Sequence, residues 1–305
     1  MSLATDVLAS GVAGGTSIMF AGLGETVGER AGVINLGIEG SMLGGALGAY
    51  AVTVESGNPW LGVLVGGTAG ATLALVHAYL VVWRHASQMA SGLTVLFLAL
   101  GLTSLFGVSY VGRALKHGFG TWDVPGLSSI PAVGPILFEH DPLVYVGYLT
   151  VPLVWFLLFK TRAGLLVRTA GERADSLTVH GYDIRWTRTL AVTAGGFLAG
   201  VGGAHLSIAY ANAWFENMVS GRGFIAVALV IFAVWSPARV MAGAWLFGCA
   251  LALGSALQAR GYQVNQFALD AVPFLLTLVV LTVLGRRTLS SSPAELKKVF
   301  ENSAT

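Results

Sequence analysis

A chain of 305 residues that is 55% hydrophobic and only 10% charged cannot hide its apolar surface in a soluble fold, where charged residues run at about 25%, so lipid must solvate it. The formal net charge of +2 is too small to imply a nucleic-acid partner, and the single cysteine, Cys249, excludes an intrachain disulfide framework. Glycine, at 41 residues, is about twice its usual share of about 7%, which suits close helix crossings in a bilayer.

Taken in chain order, nine apolar segments stand out: Val7–Leu23, Val33–Val54, Trp60–Val82, Gly92–Val111, Leu143–Phe159, Thr189–Tyr210, Phe224–Trp235, Val240–Gln258 and Phe267–Leu284. Most approach the ~20 residues a helix needs to cross the hydrocarbon core. They are continuous rather than alternating, which argues against a barrel of strands. The first lacks a basic flank and a small-residue cleavage site, so it reads as a span rather than a cleaved signal. The seventh is short, which predicts a broken or re-entrant helix, or a span completed by its flanks. The predicted fold is an all-α integral membrane protein, one domain over residues 1–305. Its architecture is a polytopic bundle of about nine (eight to ten) transmembrane helices with inverted repeats and broken helices.

Lys and Arg bias sets the orientation. With Met1 outside, the inner connections hold Arg30, Arg84, Lys160, Arg162, Arg168, Arg173, Arg185, Arg188, Arg239, Arg286, Arg287, Lys297 and Lys298, thirteen of the 17 basic residues. Residues 112–142, with Pro125, Pro131, Pro135 and Pro142, then form an irregular outer loop. Residues 160–188 form a charged inner loop with room for a short surface helix, and 285–305 an inner tail.

The segment order points to a duplication. The first segment is followed by Gly28-Glu29-Arg30 and the sixth by Gly221-Arg222-Gly223, each a glycine-rich, charge-marked break before another apolar run. The two blocks start five spans apart, so the second would be inverted, and transport pathways lie at the interface of such repeats.

Chemistry concentrates in Gly24–Met42, which reads GETVGERAGVINLGIEGSM. Glu25, Glu29, Glu39, Arg30 and Asn35 lie at or inside the membrane boundary, where a central charge costs about 2.5–3.5 kcal/mol on insertion scales and must face protein or a wet cavity. Glu39, between Gly37 and Gly40, is the deepest. It either lines a substrate path or, with Arg30, acts as polar glue holding a break in place. Gly40, Gly44 and Gly48, like Gly62, Gly66 and Gly70, recur at four-residue spacing and predict helix packing. His77 and His205 have no second ligand at metal spacing and read as buried, satisfied histidines. Trp83, Trp155, Trp214 and Trp235 fall near span ends, as an interfacial belt would. No G-x-x-x-x-G-K-[ST] occurs, and neither a metal cluster nor a nucleophile–base pair is visible. Energy must come from an ion gradient or another subunit.

GERAGVINLGIEGSM in this setting resembles the ABC importer permeases for branched-chain amino acids, ribose and nucleosides, and within them the purine and general nucleoside permeases. The resemblance covers nearly the whole chain. KTRAGLLVRTAGERADSLTVHGYDI (160–184) is similar to the family's cytoplasmic coupling loop, and GRGFIAVALVIFAVWSPARVMAGAWLFG (221–248) to its second pathway block. It implies a multi-pass protein of the bacterial cytoplasmic (inner) membrane, working with a second homologous permease and an extracytoplasmic substrate-binding lipoprotein. ABC ATPase subunits bind the ATP and Mg, with no cofactor or metal in this chain. It also implies a substrate path at Asn35, Gly37, Glu39, Gly40, Arg222, Gly223 and Phe224. Coupling would run through Arg168, Gly171, Glu172, Arg173, Ala174 and Gly181, with Glu29 and Arg30 structural at the membrane boundary. Asp175-Ser176, where the family commonly has paired alanines, and His180 depart from the pattern. The implied cargo is nucleosides, purine nucleosides favoured. Ribose-like sugars or branched-chain amino acids are the alternative, and an ion-coupled secondary transporter using Glu39 or Asp270 a further one.

Overall fold

The computed structural model describes residues 2–262 continuously, together with 265, 269, 271, 272, 275, 278, 279, 282 and 292–297. Helix α1 (Leu3–Arg30) starts where the Ser2 hydroxyl accepts from the Thr5 amide at 3.2 Å. Its 28 residues extend over about 42 Å. After a non-helical stretch, 31–37, come α2 (Ile38–Ser56) and α3 (Pro59–Ala78), the latter prolonged by a π-turn, Tyr79–Trp83. Helix α4 (Gln88–Gly107) ends in a 3₁₀ turn, Val108–Tyr110.

The outer loop predicted over 112–142 is less irregular than its prolines suggest. Strand β1 (Trp122–Asp123) pairs antiparallel with β2 (Glu139–His140) in the register Trp122↔His140, and the short α5 (Val133–Leu137) lies between them. Asp141 caps α6 (Pro142–Lys160) by accepting from the Leu143 and Val144 amides. The charged stretch 160–188 holds two helices where one was expected, α7 (Arg162–Glu172) and α8 (Ala174–Val179). Helix α9 (Ile184–His205) continues into a π-turn, Leu206–Tyr210. An irregular stretch, 211–221, then leads into α10 (Arg222–Phe232), and α11 (Pro237–Ala259) follows a tight turn.

Among the described residues, six helices are long and apolar enough to cross a membrane: α1, α3, α4, α6, α9 and α11, three of them counted with their end turns. Helices α2 and α10 occupy the second and seventh predicted segments but fall short of that standard. The ninth predicted segment, 267–284, lies largely outside the described residues, as does most of the tail 285–305.

Helices α1, α2, α3 and α9 pack into the centre, with glycine at the crossings. Side chains on Gly62 and Gly66 of α3 would strike the Ala49 and Gly45 carbonyls of α2, so the four-residue glycine rows make a helix interface as expected. Helix α9 crosses α1 antiparallel, with Gly195 on Gly24 and Gly202 on the Ser17 carbonyl, the relation an inverted pair requires. The two ends of the bundle carry their own ion pairs. Arg260 meets Asp6 at 2.6 Å at one end, and Arg188 meets Glu295 at 3.0 Å at the other.

Two sequence expectations are corrected. Gly28-Glu29-Arg30 is not a break: α1 runs through it, because Glu25 and Glu29 are buried and hydrogen-bonded there, and chain breakage waits for Ala31–Gly37. Trp214 and Trp235 are not lipid-facing belt residues but are buried, at 3% and 1% exposure.

Candidate functional site

Polar groups inside an apolar bundle must satisfy one another, so the site is legible from where the carboxylates of Gly24–Met42 send their bonds. The first break, 31–37, folds back onto the last turns of α1. The Asn35 amide donates to Glu25 Oε1 at 2.8 Å, and the Ile34 amide to Gln88 Oε1 at 2.8 Å. His77 donates to the Ile34 carbonyl through Nε2 and accepts from the Ser91 hydroxyl through Nδ1, both at 3.0 Å, so it is the satisfied histidine expected. Asn35 Oδ1 accepts from the Gly37 amide at 3.0 Å, which turns the chain into α2.

Glu39 stands in the first turn of α2 with its carboxylate turned across the bundle. Oε1 accepts from the Gly221 amide at 2.7 Å and Oε2 from the Gly223 amide at 2.6 Å, N–H groups at the start of α10 that lack a partner within that helix. A negative charge at a helix N-terminus is favoured by the macrodipole and by otherwise unpaired donors. Glycine at 223 is obligatory, since a Cβ would lie 2.6 Å from Glu39 Cα. The depth of this contact follows from packing. Ser17, near the middle of α1, faces Gly202, and the next residue, Gly203, faces the Met42 carbonyl. Glu39 is three residues from Met42, about 4.5 Å along the axis, so the two interrupted helices meet close to the level of the middle of α1.

The other end of α10 is pinned by the same motif. Val234 and Trp235 take left-handed conformations (φ 52° and 53°) in the turn before α11. The Trp235 indole N–H donates to Glu29 Oε2 at 2.5 Å, while Arg30 reaches the Trp235 carbonyl at 3.4 Å. One sequence motif thus holds both ends of α10. The stretch leading into α10 is different. Phe215, Glu216, Asn217 and Ser220 are exposed, and Asn212, Asn217 and Ser220 have positive φ at 48°, 53° and 48°. Irregular backbone at membrane depth survives only against protein or a water-filled cavity, so this stretch marks where one of them lies.

The residues expected along a path do not share one role. Glu39, Arg222 and Gly223 come together, with Arg222 turned back on the Met218 and Val219 carbonyls at 3.2 Å. Phe224 is exposed beside them. Asn35 and Gly37 form the turn into α2, and Gly40 packs on Leu96 and Ala99 of α4.

The expected coupling residues divide likewise. Arg168 lies over the Phe159 ring at 5.3 Å, and Arg30 over the same ring at 5.6 Å. Gly171 packs against the Arg30 carbonyl. Glu172 and Arg173 are exposed at the elbow between α7 and α8, Ala174 is half-buried, and Gly181 (φ 77°) ends the turn after α8. Exposed Val179, Tyr182 and Trp186 add an apolar face at the Arg188 end that sequence reasoning missed. It also missed Arg188, whose guanidinium donates to Ala31 O at 3.1 Å, Ala170 O at 3.0 Å and Glu295 at 3.0 Å. That side chain ties α7 to the first break, and nothing in the charge pattern distinguishes it from its basic neighbours. No group of three or more His, Cys, Asp or Glu side chains fit to hold a metal occurs among the described residues.

A family model described as "Branched-chain amino acid transport system / permease component" matches residues 7–284. A putative glucose ABC transporter permease of Haloferax volcanii is 41% identical over 300 residues, covering 96% of this chain and 89% of that protein. A nucleoside ABC transporter permease of Lactococcus lactis is 33% identical over 288 residues, 88% of each chain. A guanosine ABC transporter permease of Bacillus subtilis is 33% identical over 281 residues, 87% of each.

Proposed function

We propose, from the premise that this chain belongs to the branched-chain amino acid transport system permease family, that it forms one side of the path by which nucleosides enter the cell, purine nucleosides above all. It is a permease subunit of an ABC transporter, an integral protein of the cell membrane, and not itself an enzyme. Permeases of this family work with ATPase and substrate-binding partners. In the proposal, the path runs between this chain and a second permease subunit, with ATP and Mg held by two separate ATPases. A lipoprotein outside delivers the cargo.

The observation that carries the reading is the meeting of two interrupted helices at Glu39, close to the level of the middle of α1. Both Glu39 oxygens are engaged by α10, so the carboxylate sets the shape of the path rather than gripping cargo. The groups left to meet a substrate lie on the open stretch before α10 and in the first turn of that helix. Asn217 and Ser220 offer hydrogen bonds to ribose hydroxyls, and exposed Phe215 and Phe224 offer faces for a base. Stacking is what a nucleoside has and a sugar lacks. The 41% identity to a putative glucose permease favours a second reading, in which the same polar groups meet a hexose and the rings serve packing alone.

Movement enters through the α7–α8 elbow, where Glu172, Arg173 and Ala174 seat in an ATPase cleft with Val179, Tyr182 and Trp186 as its apolar margin. Arg188 and the Arg168–Phe159–Arg30 stack pass that movement to the first break and thence to Glu39. Replacing Glu172 and Arg173 together abolishes uptake and leaves membrane insertion intact; unchanged uptake removes the elbow from the coupling route.

The deciding experiment is uptake of labelled guanosine by cells carrying this chain with its neighbouring subunits, with and without an intact ATPase. ATP-dependent uptake competed by nucleosides, and not by glucose, ribose or leucine, supports the proposal. Competition by glucose moves the cargo to the second reading. Uptake that persists without the ATPase contradicts the energy source.

A further inference from the structure

Helices α6 and α9 splay apart and leave a cleft of about 490 Å³ between them. Its walls are Leu153 and Leu157 of α6 with Leu190 and Phe197 of α9, and Ala163 and Val167 of α7 close one end. Two hydroxyl residues line it, but Thr150 donates to the Val146 carbonyl at 2.8 Å and Thr187 to the Asp183 carbonyl at 3.2 Å. The cleft therefore offers no free hydrogen bond, and water has nothing to hold there.

Its length identifies the occupant. On α6 the lining runs from Thr150 to Leu158, about 12 Å along the axis, against a hydrocarbon core of ~30 Å. That is the depth of one leaflet. A transmembrane helix from a partner would run into α7, whereas an acyl chain of a single leaflet fits and ends there. At the closed end the α6–α7 elbow carries Lys160 and Arg162, both exposed. Neither makes an ion pair with any described residue, and the Lys160 ammonium lies over the Trp155 ring at 5.6 Å, the pairing of an interfacial anchor. The amide of Gly164 at the start of α7 is already taken by Thr161 Oγ1 at 3.1 Å, so the two side-chain cations, not the helix end, face the headgroup. Asp183, the nearby carboxylate at the start of α9, is turned onto the Arg185 amide at 2.8 Å.

We infer that this cleft is a site for one phospholipid with an anionic headgroup, its acyl chain between α6 and α9 and its phosphate at Lys160 and Arg162. Because α7 forms one wall, the lipid braces the helix that precedes the α7–α8 elbow. Transport then depends on anionic lipid. Each cation near an anionic membrane surface contributes about 1 kcal/mol, about fivefold in affinity.

The test reconstitutes the whole transporter in nanodiscs of phosphatidylcholine with or without phosphatidylglycerol, followed by mass measurement of retained lipid and by ATP hydrolysis. The wild type retains phosphatidylglycerol and hydrolyses ATP faster with it. Lys160→Gln with Arg162→Gln retains it about 25-fold more weakly. Ala194→Trp, which fills the cleft, loses retention with both charges intact; if that variant fails to assemble, the charge variant alone decides. Equal retention by wild type and the charge variant, or retention of phosphatidylcholine as strong as of phosphatidylglycerol, overturns the inference.

Discussion

The two breaks that meet at Glu39 are built in opposite ways. The first, Ala31–Gly37, is buried at every position but Leu36, and its backbone is held by side chains from four places: Glu25, His77, Gln88 and Arg188. The second, 211–221, is largely open, and apart from Glu39 its bonds among the described residues are local, such as Ser220 to the Asn217 carbonyl at 2.9 Å. The contrast assigns the roles. A break satisfied from every side is a fixed joint that transmits force, and a break satisfied mainly by itself is a surface that can meet cargo or a partner.

The largest effect should come from cutting the contact between them. Glu39→Ala leaves two amides at the start of α10 without an acceptor, a loss of about 3 kcal/mol, so uptake falls on the order of 100-fold while assembly with the ATPase persists. Wild-type uptake by this variant would separate the two breaks functionally. Next is the pin at the C-terminal end of α10. Trp235→Phe keeps the packing but removes the indole N–H that Glu29 Oε2 accepts from, and uptake drops about tenfold with ATP hydrolysis retained. If hydrolysis and uptake fall together, the pin is a general fold contact.

The glycines with positive φ sharpen the comparison in stability. Gly32 (φ 84°) lies in the fixed joint, where a Cβ would meet Glu295 Cβ at 2.9 Å, whereas a Cβ at Gly221 (φ 86°) meets nothing. Gly32→Ala therefore costs about 3 kcal/mol and Gly221→Ala about 1 kcal/mol in thermal unfolding, the second from backbone strain alone. Equal costs would contradict the difference in packing. An effect of similar size is a gain: Ser220→Gly relieves a left-handed residue (φ 48°) and raises the thermal unfolding free energy by about 1 kcal/mol.

Much of this architecture is legible in the sequence, because long apolar runs and buried charges each admit few solutions. Glu25, Glu29 and Glu39 sit in an apolar stretch and must be paired, so the motif announces itself. Their partners do not. Glu39 binds backbone amides 182 and 184 residues away, and a backbone donor has no sequence signal. Trp235 reads as a belt residue because its neighbours end a span, yet it lies buried against Glu29, 206 residues distant. Asn35 looks like a polar group available to cargo, whereas its oxygen serves the local turn into α2. Gly28-Glu29-Arg30 resembles a break because glycine and charge usually end helices; burial and hydrogen bonding carry α1 through it.

The most direct test of the account is accessibility of the two breaks to a water-soluble maleimide. Single cysteines are placed by Asn217→Cys, Ser220→Cys, Ile34→Cys and Asn35→Cys in a chain whose Cys249 is replaced by alanine. The account predicts labelling at 217 and 220 that guanosine slows several-fold, and no labelling at 34 and 35. Labelling at 34 and 35 equal to that at 220, or no protection by guanosine at 217 and 220 in a transporter that still imports it, would contradict the claim that cargo passes along the open break.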